Sequence, residues 1–127
     1  DGMSDDKMIK IAGNANSSDI YYTTPFTALS AATNPLVSKF NKAYKAKFGE
    51  DAPTFAALAY DSVYMVKKAV ETEKSADSVK IQAGLAKLKN FKGVTGNTTM
   101  DAKHNPQKSI TIVKLENGKS VKGYVVK

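Results

Sequence analysis

The residues able to do acid–base, nucleophilic or metal chemistry are few, and their spacing does not assemble them. His104 is the single histidine, and it lies in the turn Ala102-Lys103-His104-Asn105-Pro106 with no cysteine or serine motif beside it. A general base needs an orienting partner and a reacting group within hydrogen-bond reach, so His104 reads as a surface turn residue. The most compact carboxylate pair is Asp5 with Asp6. A metal could be proposed there, but the pair follows Ser4 at the start of an apolar helical stretch, where negative charge complements the positive helix end. Gly93 and Gly96 lack the lysine and the strand-to-helix setting of a phosphate loop, so nucleotide hydrolysis is not supported. The chain has no cysteine, which removes thiolate zinc sites and disulfides. These readings point to a protein that is not an enzyme and needs no cofactor and no metal.

Charge is the next candidate for function. The formal net charge is +7, and all nineteen basic residues are lysines. Base readout in nucleic acid leans on the planar two-pronged fork of arginine, which lysine lacks. The lysines are also scattered, as Lys39, Lys42, Lys45 and Lys47 on one segment and Lys114, Lys119 and Lys122 on another, the pattern of a solvated surface. No nucleic-acid partner is therefore expected. A basic module that binds polyanions stays as an alternative, with steep salt dependence as its mark.

The chain of 127 residues, 42% of them hydrophobic, is long enough to bury a core. No apolar run approaches the length needed to cross a bilayer, and the opening DGMSDDKM has neither the apolar stretch nor the cleavage site of a signal peptide, so it reads as interior to a longer protein. Ser4, Asp5 and Asp6 start a short helix that Gly13 stops. Ile20 to Thr24 is β-branched and aromatic and closed by Pro25, which predicts a strand leading into a loop to about Thr33. Asn34-Pro35 opens a helix, Leu36, Phe40, Tyr44 and Phe48 give it one apolar face, and Gly49 ends it. Pro53-Thr54 opens a second, alanine-rich helix, and a capping cluster from Ser75 to Ser78 starts a third long one with Ile81, Leu85 and Leu88 buried. Beyond Asn90 the chain turns glycine- and threonine-rich and extended. Ser109 to Leu115 and Ser120 to Val126 are strands around Asn117-Gly118, whose type I′ turn predicts a terminal hairpin. The element order suggests α/β or α+β.

Several phrases, in order and over almost the whole chain, resemble the C-terminal third of the leucine/isoleucine/valine-binding proteins: Asp1-Gly2 before the helix through Ile11-Ala12-Gly13, Thr23-Thr24-Pro25-Phe26, Asn34-Pro35 with Phe40 and Tyr44, Phe48-Gly49, Pro53 through Ala59-Tyr60-Asp61-Ser62-Val63-Tyr64, Phe91-Lys92-Gly93-Val94-Thr95-Gly96, and Met100-Asp101. The resemblance implies an α/β chain, part of a type I periplasmic binding-protein fold that contributes to both of its lobes and ends in a β-hairpin. It implies a second-lobe segment over 1–25, a first-lobe segment over 26–108, and a hairpin over 109–127 returning to the second lobe. It further implies an extracytoplasmic capture subunit that closes over a branched-chain or other small aliphatic amino acid and hands it to the membrane permease of an ABC importer.

By the same resemblance Asp1 matches the acidic residue that holds the ligand ammonium, and Phe55 matches an aromatic residue lining the side-chain pocket. A buried carboxylate pairing with an ammonium and a ring covering an aliphatic chain are sound chemistry. The alternatives are a frayed terminus for Asp1 and a core side chain for Phe55. Tyr60, Asp61 and Tyr64 are expected to serve the helix and its packing. The groups that grip the ligand carboxylate fall, by the family pattern, before Asp1, and so do most strands that would cover the helices, so this chain alone is expected to self-associate as a homodimer. A ligand-sensing domain of the same fold is the nearest rival function.

Overall fold

The computed structural model describes residues 6–126. Asp1, Ser4 and Asp5 lie outside the described residues.

Among the described residues there are four α-helices. α1 (Asp6–Ala12) ends at Gly13, whose N–H donates to the Ile9 carbonyl at 2.9 Å. α2 (Pro35–Phe48) is capped by the Asn34 side chain, which accepts from the Leu36 N–H at 3.0 Å, and it stops at Gly49 in the left-handed conformation. Its buried stripe runs through Val37 and Phe40 to half-buried Tyr44, while Leu36 and Phe48 at the two ends are exposed. The four-residue spacing thus found the face but placed its centre one residue off at Val37. α3 (Thr54–Glu73) is the longest helix, and its buried residues Thr54, Ala57, Asp61 and Ala69 form one stripe. α4 (Ser78–Ala86) is capped by Asp77, which accepts from the Val79 and Lys80 N–H groups.

The third long helix predicted from Ser75 onward is therefore corrected to nine residues. It stops because Leu88 leaves the helical path to become buried, and the Leu88 carbonyl accepts the Met100 N–H at 2.9 Å. Gly84 lets α4 lie against α3, since a Cβ there would sit 2.9 Å from the Ala69 Cβ. Among the described residues no helix is long and apolar enough to cross a membrane.

The strands are β1 (Ile20–Thr24), β2 (Phe91–Gly93), β3 (Gly96–Met100), β4 (Pro106–Lys108), β5 (Ile110–Glu116) and β6 (Lys119–Val126). They form two antiparallel three-stranded sheets, ordered β1-β5-β6 and β2-β3-β4. In the first sheet the register runs from Ile20 opposite Leu115 to Thr24 opposite Thr111. Asn117 and Gly118 both have positive φ, as the type I′ turn of the expected hairpin requires. Thr111, Val113 and Leu115 alternate inward along β5. The predicted loop to Thr33 contains a 3-10 helix over Ala28–Ala32, opened by the Thr27 hydroxyl, which accepts the Leu29 N–H.

A buried apolar cluster holds Phe26, Val37, Phe40, Ala52, Ala57 and Val94. Phe26 meets Phe40 edge to face at 5.8 Å, and Phe40 meets Tyr60 of α3 at 4.8 Å. This cluster fastens α2, α3 and the β2–β3 turn into one body, with the sheet of β1, β5 and β6 set beside it.

Candidate ligand-binding site

The described chain passes between these two bodies twice. Pro25 links β1 to the aromatic cluster, and Ser109 links β4 to β5. A groove of about 190 Å³ lies between the links, lined by residues of both bodies that include Pro25, Thr95, Ser109 and Thr111. Proline suits the first link because its fixed φ and missing N–H end strand pairing.

The start of α3 is anchored at the first link. The Thr24 hydroxyl donates to the Phe26 carbonyl at 2.8 Å, and the buried Thr54 hydroxyl lies 3.2 Å from that of Thr24. The Thr54 hydroxyl also lies 3.5 Å from the Phe26 carbonyl, to which it can donate. Phe55 follows by one residue, about 100° further around the helix. Within this chain it is 70% exposed. Keeping a phenylalanine ring in water forfeits about 1.5 to 3 kcal/mol of burial energy, and a site that covers the ring recovers it.

Two turns along α3, Asp61 is 5% exposed and fully engaged. It accepts the Val94 N–H at 2.8 Å, the Thr95 N–H at 2.8 Å and the Thr95 hydroxyl at 2.6 Å. The Lys108 ammonium in turn donates to the Thr95 hydroxyl. Burial holds the Lys108 amine below its usual value, and the charge of Asp61 opposes that shift. With three short donors on its two oxygens, Asp61 acts as the fastener of the β2–β3 turn. This matches the packing role read from the sequence. A Cβ at Gly93 would run into the carboxylate, and glycine there is a steric requirement.

The sequence reading did not connect Thr24, Thr54, Thr95 and Lys108. One signal was available: Thr54, Ala57 and Asp61 recur at helical spacing, which places a carboxylate inside an otherwise small and buried stripe. Asp1 lies outside the described residues. His104 sits in its turn with φ 64° and is exposed. Among the described residues no group of acidic, histidine or cysteine side chains could hold a metal ion.

A family model described as periplasmic binding protein matches residues 2–120. The chain belongs to the periplasmic binding protein family. Among solved structures, the branched-chain amino acid transporter substrate binding protein LivJ from Streptococcus pneumoniae, in complex with isoleucine, is similar at 37% identity and a TM-score of 0.89, covering 99% of this chain and 35% of that one. Leucine binding protein LivK from Thermotoga maritima is similar at 29% identity and a TM-score of 0.87, with 99% and 35% covered. An ABC transporter substrate-binding protein from Desulfitobacterium hafniense in complex with Leu, at 17% identity, a TM-score of 0.72, and coverage of 88% and 32%, shows the fold alone. No curated protein matches the chain. This periplasmic binding protein chain spans about a third of the length of these solved relatives, and its fold is the corresponding part of a type I periplasmic binding protein. These relatives are substrate-binding proteins.

Proposed function

We propose that this chain is the C-terminal part of an extracytoplasmic solute-binding protein that captures a branched-chain or other small aliphatic amino acid between two lobes and delivers it to an ABC importer. The observation that carries the reading is the 37% identity to an isoleucine-bound LivJ, sustained over 99% of this chain. The sheet arrangement supports the lobe division. Residues 1–25 and 109–127 belong to the second lobe and 26–108 to the first, in keeping with β1 pairing with the terminal hairpin while β2, β3 and β4 form their own sheet.

In this reading Asp1 pairs with the ligand ammonium, and Phe55, held at the mouth of the first link by its neighbour Thr54, covers the aliphatic side chain. Closure of the lobes takes the Phe55 ring out of water together with the ligand, so apolar burial favours the closed, loaded state. Taken alone, the chain exposes Phe55, Val63 and Val66 on α3, and we expect it to form homodimers that cover this face.

Two measurements test the reading: mass spectrometry of the complete native protein for a co-purified amino acid, and calorimetric titration with leucine, isoleucine and valine. Asp1→Ala in the complete protein should weaken binding by at least about 1.5 to 3 kcal/mol, the worth of a charge-assisted hydrogen bond. Absence of any amino-acid binding by the intact protein overturns the proposal.

A further inference from the structure

If the two sheets belong to lobes that move, as proposed above, the motion turns in part on the two links at Pro25 and Ser109, and the structure holds both against one helix. At the first link, the last residue of β1 is tied to the first residue of α3 through the Thr24 and Thr54 hydroxyls, 3.2 Å apart and both buried. Phe26, on the far side of Pro25, returns its N–H to the Thr24 hydroxyl at 3.3 Å and its carbonyl accepts from Thr24. At the second link, Lys108 ends β4, one residue before Ser109, and its ammonium reaches α3 through Thr95 and Asp61.

These contacts lie on the chain immediately beside each link, so the backbone is fixed up to Thr24 and Phe26 on one side and up to Lys108 on the other. Between these fixed points Pro25 and Ser109 line the groove. We infer that α3 is a clamp on both crossings, and that Thr54 and the Asp61–Thr95–Lys108 relay are positioning residues that confine lobe motion to one pivot. The confinement has a thermodynamic consequence. A ligand that binds only the closed arrangement has an apparent dissociation constant equal to its intrinsic one divided by the fraction of molecules able to close correctly. Releasing a crossing adds arrangements that cannot close, and that fraction falls.

The test uses the complete protein in a background without other cysteines, spin-labelled at Lys119→Cys on the hairpin and Lys80→Cys on α4. Distances between the labels are measured by pulsed electron resonance without ligand, and isoleucine affinity is measured alongside. Thr54→Val and Lys108→Met should each widen the ligand-free distance distribution and weaken isoleucine binding about twofold to tenfold, the range expected for one hydrogen bond. Thr54→Ser, which keeps the hydroxyl, should restore the narrow distribution. A thermal melt establishes that each variant is folded. Should Thr54→Val fail to fold, Lys108→Met carries the test, because the partly exposed Lys108 leaves room for a methionine side chain. Unchanged distributions in the folded variants overturn the clamp. If the wild type binds no amino acid, the transport reading falls, while the ligand-free distributions still decide the clamp.

Discussion

Replacing Asp61 with alanine should destabilise the protein by about 3 to 5 kcal/mol. The figure follows from what the carboxylate holds. It accepts two backbone N–H groups and one hydroxyl, all within 2.8 Å and all buried. Alanine leaves the Val94 and Thr95 N–H groups without partners in a site closed to water, at about 1 to 3 kcal/mol each. The hydroxyl can rotate to another acceptor and the half-buried Lys108 ammonium can reach solvent, so neither adds as much. Removing a buried charge returns some desolvation energy, which keeps the total nearer 4 than 8 kcal/mol. Against the roughly 5 to 15 kcal/mol of a typical domain, that loss moves a urea midpoint well outside error. Hydrogen exchange gives the local readout, with the Val94 and Thr95 amides losing protection first. Gly93→Ala supplies an internal control. Its Cβ runs into the carboxylate, so the substitution should be less harmful in the Asp61→Ala background than in the wild type. A destabilisation below about 1 kcal/mol, or strictly additive effects of the two substitutions, would refute the reasoning.

Three further outcomes are expected. Phe55→Ala should change stability by no more than about 0.5 kcal/mol, because the ring is exposed, yet lower the affinity of the complete protein for leucine more than for alanine; equal losses in calorimetry would remove Phe55 from the pocket. Gly49→Ala should cost about 1 to 2 kcal/mol in denaturant titration, since alanine is strained at φ 81°. The Asn105 N–H, with help from the Lys103 N–H and the Asn105 and Gln107 side chains, holds Asp101 below its usual value against some desolvation. The folded state then binds fewer protons than the unfolded one, so this stabilisation is present above the ordinary aspartate value and is lost as pH falls through the lower folded value. A chemical-shift titration of the Asp101 carboxyl should show that lowered midpoint, and Asp101→Asn should abolish the effect on the 101–105 turn.

Features written in consecutive residues were legible in the sequence. Asn34-Pro35 and Gly49 bracket α2 because capping is local chemistry, and Asn117-Gly118 announced its turn because few other residues tolerate two successive positive φ angles. Features that depend on residues far apart were not. The end of α4 is set by Leu88 pairing with Met100 on another strand, so the helix pattern ran on where the helix stops. Lys108 looked like one more surface lysine, because nothing near it in sequence reveals that Thr95 will face it. Asp61 stood between, since its helical spacing showed the buried stripe while its partners, 33 and 34 residues away, were invisible. The ligand-facing residues came from resemblance: an exposed phenylalanine at a helix start has no local signature of what will cover it.

The pairing of β1 with β5 also sets a timetable. Tyr22 pairs with Val113 of β5, 91 residues further along the chain (113 − 22), and closing so long a loop in an unstructured chain costs on the order of 4 kcal/mol. During synthesis at about 5 to 20 residues per second, β1 waits roughly 5 to 20 seconds before its partner strand emerges. The intervening helices and the sheet of β2, β3 and β4 can fold in that interval and carry the two ends together, so most of the loop is already closed when β5 arrives. Until then Ile20 to Thr24 is a β-branched, aromatic strand edge without its β5 partner, and the nascent protein is most open there to mispairing and to chaperones that bind extended apolar chain.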